Sequence, residues 1–583
     1  MTATATTIEV RDNMRIEWDV ELEMDDGVVL RADIYRPVAD GRYPTIASMG
    51  VYGKGLPFQA PPYDKLWEQM CEKYPDVPAG STNKYQAWEV VDPDKWVTDG
   101  YAVARIDSRG AGRSEGRMDC FTGREAKDFH DCIEWIAEQD WSNGNVGLTG
   151  ISYYAVNEWR AAALAPPALK AICPWEGAND WYRDTTHHGG IHCTFLGKWF
   201  PEQAQIVQHG LGSRGPVNPN TGVQITGDVD LDEDELRANR GDIETEVRTH
   251  EFDDKYYRDR STDLSRVKVP VLSAGNWGGQ ALHNRGNFRG YLHAASDQKW
   301  LEVHGGEHWT IFYTDYGRGL QKRFFDYFLK DGEGDWDQQP PVLLQVRHPG
   351  EKFVERAEQE WPIARTEWRR MYLHPEGAHL SLDAPQSESS VAYRALGQGV
   401  TFATGAFEEE VEITGPISCR LWIASDTADA DIFLALRVFD PDGKEVLFHG
   451  ANEPKAPISL GWLRASHRRL DEEKSEPWAP YHPHQEREML TPGEIYPLDI
   501  EIWTTSIVIP VGYELKLSVL GRDFDHGLEG TMSHIGVEMR GAGFWYHDDP
   551  EQRPAELFDN TVTIFSGPEY DSHLLLPFIP EKR

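Results

Sequence analysis

From residue 45 to about residue 329, short apolar runs alternate with stretches whose apolar residues recur at helical spacing. Residues 45–48, 102–106, 146–149, 171–175, 271–274 and 300–303 read as buried strands, and residues 129–141 and 320–330 as amphipathic helices. Strand then helix, repeated, predicts a parallel sheet covered on both faces. Ahead of it, residues 15–36 have hairpin character and predict antiparallel strands at the sheet edge. Past the turn-rich stretch 330–335, with Pro340-Pro341 close behind, the period drops to two. Ile417, Cys419, Leu421 and Ile423 alternate with Ser418, Arg420 and Trp422, and Leu515, Leu517 and Val519 alternate with Lys516 and Ser518. That pattern predicts an all-β, antiparallel sandwich.

Two stretches interrupt the strand–helix rhythm. Residues 56–96, with Pro57, Pro61, Pro62, Pro75 and Pro78 among them, are long for a connection that follows a strand, and residues 181–263 are longer still and rich in aromatics. Excursions of that length in a compact domain are typically lids or binding loops, the alternative being surface decoration. A chain of 583 residues also exceeds what one hydrophobic core supports, so two or three domains are expected.

Composition narrows the partners. Fifty-eight Lys and Arg against 96 Asp and Glu give a formal net charge of −38, which repels nucleic acid and anionic membrane surfaces, so neither is expected as a partner. The densest acidic run, residues 228–235, fails as a calcium loop because Glu233 stands at the glycine position and Asn239 at that of the bidentate glutamate. No run of about 18 apolar residues occurs, the first residues lack a basic region and an apolar core, and the six cysteines form no Cys-x-x-Cys pair. A cytoplasmic protein with reduced thiols is the expectation, and a homo-oligomer is compatible with it.

Residues 147–154 read Gly-Leu-Thr-Gly-Ile-Ser-Tyr-Tyr, a strand end entering a Gly-x-Ser turn, and helix-forming residues 156–164 follow directly. Such a turn lifts a serine Oγ above the sheet and aims the next backbone N–H at a developing oxyanion. Ser152 is the candidate nucleophile and the Tyr153 N–H a candidate oxyanion donor. The usual pattern has glycine two positions after the serine, where this chain has Tyr154. A serine that merely caps the following helix is the competing reading.

Three further segments accompany this serine: residues 26–37 (Asp-Gly-Val-Val-Leu-Arg-Ala-Asp-Ile-Tyr-Arg-Pro), 48–54 (Ser-Met-Gly-Val-Tyr-Gly-Lys) and 101–116, with Asp107-Ser108-Arg109-Gly110 at its centre. Together with Gly150-Ile151-Ser152-Tyr153 they resemble the cocaine esterase and X-Pro dipeptidyl-peptidase family of serine hydrolases, and the resemblance covers nearly the whole chain. It implies an α/β-hydrolase catalytic domain in residues 1–180 and 264–335, a cap insertion in 181–263, and a C-terminal jelly-roll sandwich in 345–583. Residues 56–96 are then an extra wall of the substrate pocket. The resemblance also implies that Tyr52 offers its hydroxyl to the oxyanion, against the alternative of a tyrosine simply packed in the core. The Asp107-Ser108-Arg109-Gly110 run is expected to hold a turn rather than to catalyse.

A serine hydroxyl needs a base to become nucleophilic. His308, just past the strand at 300–303, occupies the place where this fold carries it, whereas His304 lies within the strand and reads as structural. The acid departs from the family. Its relatives place an aspartate in the segment that here reads Ala274-Gly275-Asn276-Trp277-Gly278-Gly279, so Gly278 stands at the carboxylate position. The fold's second location, the end of the strand after the nucleophile helix, carries Glu176, whose longer side chain has the reach to an imidazole. Asp180 is the runner-up, Glu307 is awkwardly placed beside His308, and a Ser–His dyad stays open.

His188 and His192 are four apart, but Gly189-Gly190 between them weakens the helix a shared ligand face would need, so no metal or other cofactor is expected. Aromatics of the cap, Trp181 and Trp199, with Trp277 beyond it, are expected to line the substrate pocket. These readings converge on a serine acyl hydrolase acting on a small-molecule ester or amide, foremost a carboxylesterase. The first alternative is a peptide or amide hydrolase of the X-Pro dipeptidyl-peptidase or amino-acid ester hydrolase kind. The second is a non-catalytic binding protein, against which the Ser, His and Tyr constellation speaks.

Overall fold

The computed structural model describes residues 7–580. An eleven-stranded sheet organises the first part of the chain. Its strands are β1 (Thr7–Arg11), β2 (Met14–Glu23), β3 (Val29–Pro37), β4 (Tyr43–Gly50), β5 (Ala102–Asp107), β6 (Ser142–Ile151) and β7 (Leu169–Trp175). A small separate hairpin follows, β8 (His187–His188) and β9 (Ile191–His192), before the sheet resumes with β10 (Val271–Asn276), β11 (Lys299–His304), β12 (Val342–His348) and β13 (Lys352–Glu358). The spatial order is β1-β2-β3-β5-β4-β6-β7-β10-β11-β12-β13. Pairing is parallel from β5 through β12 and antiparallel at both edges. Covered on both faces, β5 and β10 are buried throughout, while β2, with one face exposed, alternates.

The six apolar runs read from the sequence all lie within these strands. The helices begin earlier than periodicity alone indicates. The one expected at 129–141 spans Gly123–Ala137, because the Thr122 side chain caps the Glu125 N–H, and residues 138–141 leave it for β6. The one expected at 320–330 spans Asp315–Leu329, capped by Thr314.

The C-terminal part is β-rich, and its ladder closes on itself. Strand Val411–Ser425 pairs with Tyr496–Ile509 on one side and with His573–Phe578 on the other. All pairings in this ladder are antiparallel except a single parallel bridge between His379 and Ala403. Closure removes the long edges that would otherwise seek partners. Ile417, Cys419, Leu421 and Ile423 point inward and are fully buried, as their alternation predicts. Arg347 on β12 ties the two parts together, donating to the carbonyls of Ser506 and Ile458 at 2.8 Å each. All six cysteines are free, five of them buried. Among the described residues, no helix is long and apolar enough to cross a membrane.

Candidate active site

β6 ends at Ile151, and Ser152 takes φ 57°, a left-handed conformation that costs roughly 1–3 kcal/mol in a non-glycine residue. Its carbonyl accepts the first bond of helix Tyr153–Ala163, from the Val156 N–H at 2.9 Å. The Tyr153 N–H therefore lies in the first helical turn, where no intrahelical acceptor exists and negative charge is favoured. The bulky Tyr154 is accommodated by glycines on facing strands. A Cβ at Gly50 would come within 2.6 Å of the Tyr154 ring, and one at Gly150 within 2.5 Å of its Cβ.

Glu176 follows β7 directly, also with a positive φ, 49°. Its carboxylate lies between two imidazoles, Oε2 at 2.9 Å from His308 Nδ1 and Oε1 at 2.9 Å from His304 Nε2. The other nitrogen of His304 is bonded to Glu302 at 2.8 Å, and its ring stacks on Trp175. Burial opposes ionisation of Glu176, but the charge of His308 and the bonds from both rings hold its carboxyl below the usual range. Burial likewise opposes a cationic His308, and the Glu176 charge overcomes it, pushing the imidazole up to about 10. Asp180 is engaged instead with Arg183, accepting from its backbone N–H at 3.0 Å and its guanidinium at 2.9 Å. Glu307 faces Lys73 at 2.6 Å.

Packing explains the vacant family position. A Cβ on Gly278 would meet the His449 carbonyl oxygen at 2.6 Å and Gly450 Cα at 2.7 Å. The C-terminal loop around residues 449–451 presses there, with the Ala451 N–H donating to the Gly278 carbonyl at 2.7 Å and its carbonyl accepting from the His308 N–H at 2.8 Å. The loop that positions the histidine leaves no room for an aspartate side chain.

Two residues that sequence reasoning missed stand in the centre of the site. His283 Nε2 lies 3.0 Å from Ser152 Oγ, and its ring stacks on that of His308 with centroids 5.0 Å apart. Burial, with the neighbouring His308 charge, keeps its pKa well below the ordinary imidazole value. Glu89 is the other. It is buried, has φ 62°, and its Oε1 lies 3.1 Å from His308 Nε2, the nitrogen a serine base would use. Burial pushes the Glu89 carboxyl up to about 7 against the opposing bond from His308. Its backbone carbonyl accepts from the Ile151 N–H at 2.9 Å, fixing it beside the Ser152 turn. An acidic residue inside the apolar run Ala87-Trp88-Glu89-Val90-Val91 was the available signal; His283 carried none.

Tyr52 is buried and accepts a hydrogen bond from Trp199 Nε1 at 3.1 Å. No acceptor among the described residues takes its own proton. Burial, reinforced by the Glu89 charge, raises its pKa well above that of a free phenol, so it remains a donor. Asp107 holds the Tyr52 loop, its Oδ1 accepting from the Lys54 N–H at 2.6 Å. Tyr52, Ser152, Tyr153 and His283 share a small cavity of about 30 Å³ with Trp181, Phe195 and Trp199. Trp277 does not reach it. Fully buried, it donates to the Gln345 carbonyl at 2.8 Å and packs against Phe288 and Trp361, because its strand end points toward the junction with β12.

A family model described as X-Pro dipeptidyl-peptidase (S15 family) matches residues 26–310, and one for the X-Pro dipeptidyl-peptidase C-terminal non-catalytic domain matches residues 334–574. A cocaine esterase from Rhodococcus sp. (strain MB1 Bresler) is 26% identical over 98% of this chain and 100% of its own length. The crystal structure of a CocE/NonD family hydrolase from Staphylococcus aureus is 32% identical, with a TM-score of 0.83 over 97% of this chain and 94% of that one. An α-amino acid ester hydrolase shares the fold at 15% identity, with a TM-score of 0.65 and 99% of both chains covered.

Proposed function

We propose that this chain, which belongs to the CocE/NonD family of serine hydrolases, is a carboxylesterase that cleaves small-molecule esters through an acyl-Ser152 intermediate. The observation that carries the choice of ester over peptide is the cavity at Ser152. Its lining is aromatic and aliphatic, and no carboxylate contributes to it among the described residues. A dipeptidyl-peptidase has to hold its substrate's ammonium group, and burying that charge unpaired beside these rings would be prohibitive. At about 30 Å³ the cavity has room for a water or two, so a short acyl group fits best.

In this reading Ser152 Oγ attacks the ester carbonyl while an imidazole takes its proton. The oxyanion is met by the Tyr153 N–H and the Tyr52 hydroxyl. Collapse expels the alcohol, which recovers the proton, and water then repeats the sequence on the acyl-enzyme. His308, oriented by Glu176, is the base. Its Nε2 is freed for this role when the proton it shares with Glu89 passes to that carboxylate, which burial makes more basic than an ordinary carboxyl. A second reading rests on the 3.0 Å contact between His283 and Ser152 and makes His283 the first acceptor. It is the weaker one, because among the described residues His283 Nδ1 has no hydrogen-bond partner, and a proton on this ring would stack on a second cation. The β-domain, read as a jelly roll, braces the site through the loop that presses on Gly278.

The pH profile tests the role given to Glu89. Glu176 and Glu89 both raise the His308 pKa, so Glu89→Gln lowers it. A base works only when deprotonated, and the acidic limb of kcat/KM moves to lower pH in the variant. An unchanged or upward-shifted limb would disconnect Glu89 from the base.

The substrate class is tested by assaying short p-nitrophenyl esters beside X-Pro p-nitroanilides. The esters are expected to lead in kcat/KM by at least about 10². Faster anilide cleavage would replace the esterase with a peptidase.

A further inference from the structure

We propose that His188, Cys193 and His547 form a site for a borderline-soft divalent cation, best matched by Zn²⁺, that ties the cap hairpin to the C-terminal domain. All three are buried, and their ligating atoms lie within 4.8 Å of one another. Cys and His are the donors zinc takes. His188 sits on β8 and Cys193 directly after β9, while His547 comes from a loop 354 positions further along the chain than Cys193.

Hydrogen bonding around the two imidazoles is the decisive observation. His547 Nδ1 lies 2.7 Å from Asp523 Oδ1, and a carboxylate only accepts, so Nδ1 carries the hydrogen. His188 Nε2 lies 3.3 Å from the Asp184 carbonyl oxygen, which again only accepts. With those hydrogens in place the remaining nitrogens, His188 Nδ1 and His547 Nε2, are the ones free to bind, and they face each other at 2.8 Å. Two lone pairs at that distance repel unless a proton or a metal ion lies between them, and the Cys193 sulfur beside them is a donor that a metal ion uses and a shared proton does not. The Asp523–His547 pair is the arrangement in which an outer carboxylate orients a metal-binding imidazole, and Asp523 also accepts from the His547 backbone N–H at 2.8 Å. Cys193 supplies the third donor. Rings of Trp462 and Trp503 pack against His188 and that of Phe433 against His547, closing the pocket to bulk water.

Zinc–nitrogen bonds of about 2.0–2.1 Å in tetrahedral geometry separate two nitrogens by ~3.4 Å, so binding requires the rings to part by about half an ångström. One coordination position remains beyond the three protein ligands. The hairpin is otherwise pinned to the β-domain by backbone contacts. The Arg464 N–H donates to the Gly189 carbonyl at 2.8 Å, and a Cβ at Gly189 would meet the Trp462 carbonyl oxygen at 2.1 Å. Phe195, two residues past Cys193, lines the cavity at Ser152, so the ion would hold one end of that wall.

The test is metal content of the full-length protein, as isolated and after dialysis against Zn²⁺ and then buffer, followed by substitution with Co²⁺. About one ion per chain is expected, with a thiolate-to-cobalt charge-transfer band that disappears in Cys193→Ser. Asp523→Asn, which keeps all three ligands, is expected to weaken binding roughly 10- to 100-fold. Less than stoichiometric metal in reconstituted wild type would overturn the proposal, leaving a proton shared between the two rings. A cobalt spectrum unchanged by Cys193→Ser would overturn it as well. Neither measurement depends on the substrate or on Ser152.

Discussion

Ser152→Ala and His308→Ala are each expected to lose at least about 10⁴ in kcat, and the double variant to be no worse than the poorer single one, because nucleophile and base act as a unit. Ser152→Ala also loses the mass adduct that a fluorophosphonate leaves on the wild type. The structure makes a third variant informative. His283 is the imidazole within hydrogen-bond distance of Ser152 Oγ, and His308 is the one with a carboxylate behind it. If His308 is the base, His283→Ala removes a contact that positions Oγ and costs no more than about 10². The reverse ranking, with His283→Ala silent enzyme and His308→Ala active, would move the base to His283. Substantial esterase turnover in purified Ser152→Ala would overturn the nucleophile assignment altogether.

Glu176→Gln is expected to lower kcat by at least about 10², and by up to the ~10⁴ that the same loss of charge costs in a well-studied triad. The side chain keeps its size, so a folded protein is expected. The imidazolium formed at His308 during attack loses its counter-charge, and the amide group competes for the ring orientation that Glu176 imposes. His304 is an internal control. It shares the Glu176 carboxylate but keeps its own partner in Glu302, so His304→Gln is expected to cost less than Glu176→Gln. Asp180→Asn, which disturbs an ion pair with Arg183 rather than an imidazole contact, leaves turnover near that of the wild type. Near-normal turnover in folded Glu176→Gln would sink the triad and favour a dyad.

The acid illustrates how far local reasoning reaches. The absence of a carboxylate at Gly278 and its presence at Glu176 are visible in the chain, and strand order in this fold names the second as a place from which an imidazole can be met. The reason for the exchange is not visible, because it lies in residues 449–451, some 170 positions away in sequence, whose backbone fills the space an aspartate needs. Glu89 and His283 escaped for a related reason. Neither stands in a motif, and each reaches the site because a connecting segment folds back over the nucleophile turn. Trp277 failed in the opposite direction: an aromatic one residue past a strand end was assigned to the pocket, while its side chain turns into the junction between the two parts of the molecule.

What the chain determines by itself follows from interactions between near neighbours. Runs of buried apolar residues broken by helical periodicity make a parallel sheet, period-two alternation makes the β-rich second part, and the Gly-Ile-Ser-Tyr turn places a serine at a helix N-terminus. These depend on backbone sterics and on one-dimensional patterning, which sequence carries in full. The tertiary structure alone decided which carboxylate meets which imidazole, that Glu89 also bonds to His308, and that histidines from the β8–β9 hairpin and a distant loop face one another with a cysteine beside them. Those pairings depend on ångström-scale distances between segments separated by hundreds of residues, and a distance of that kind is set only when the whole core has packed.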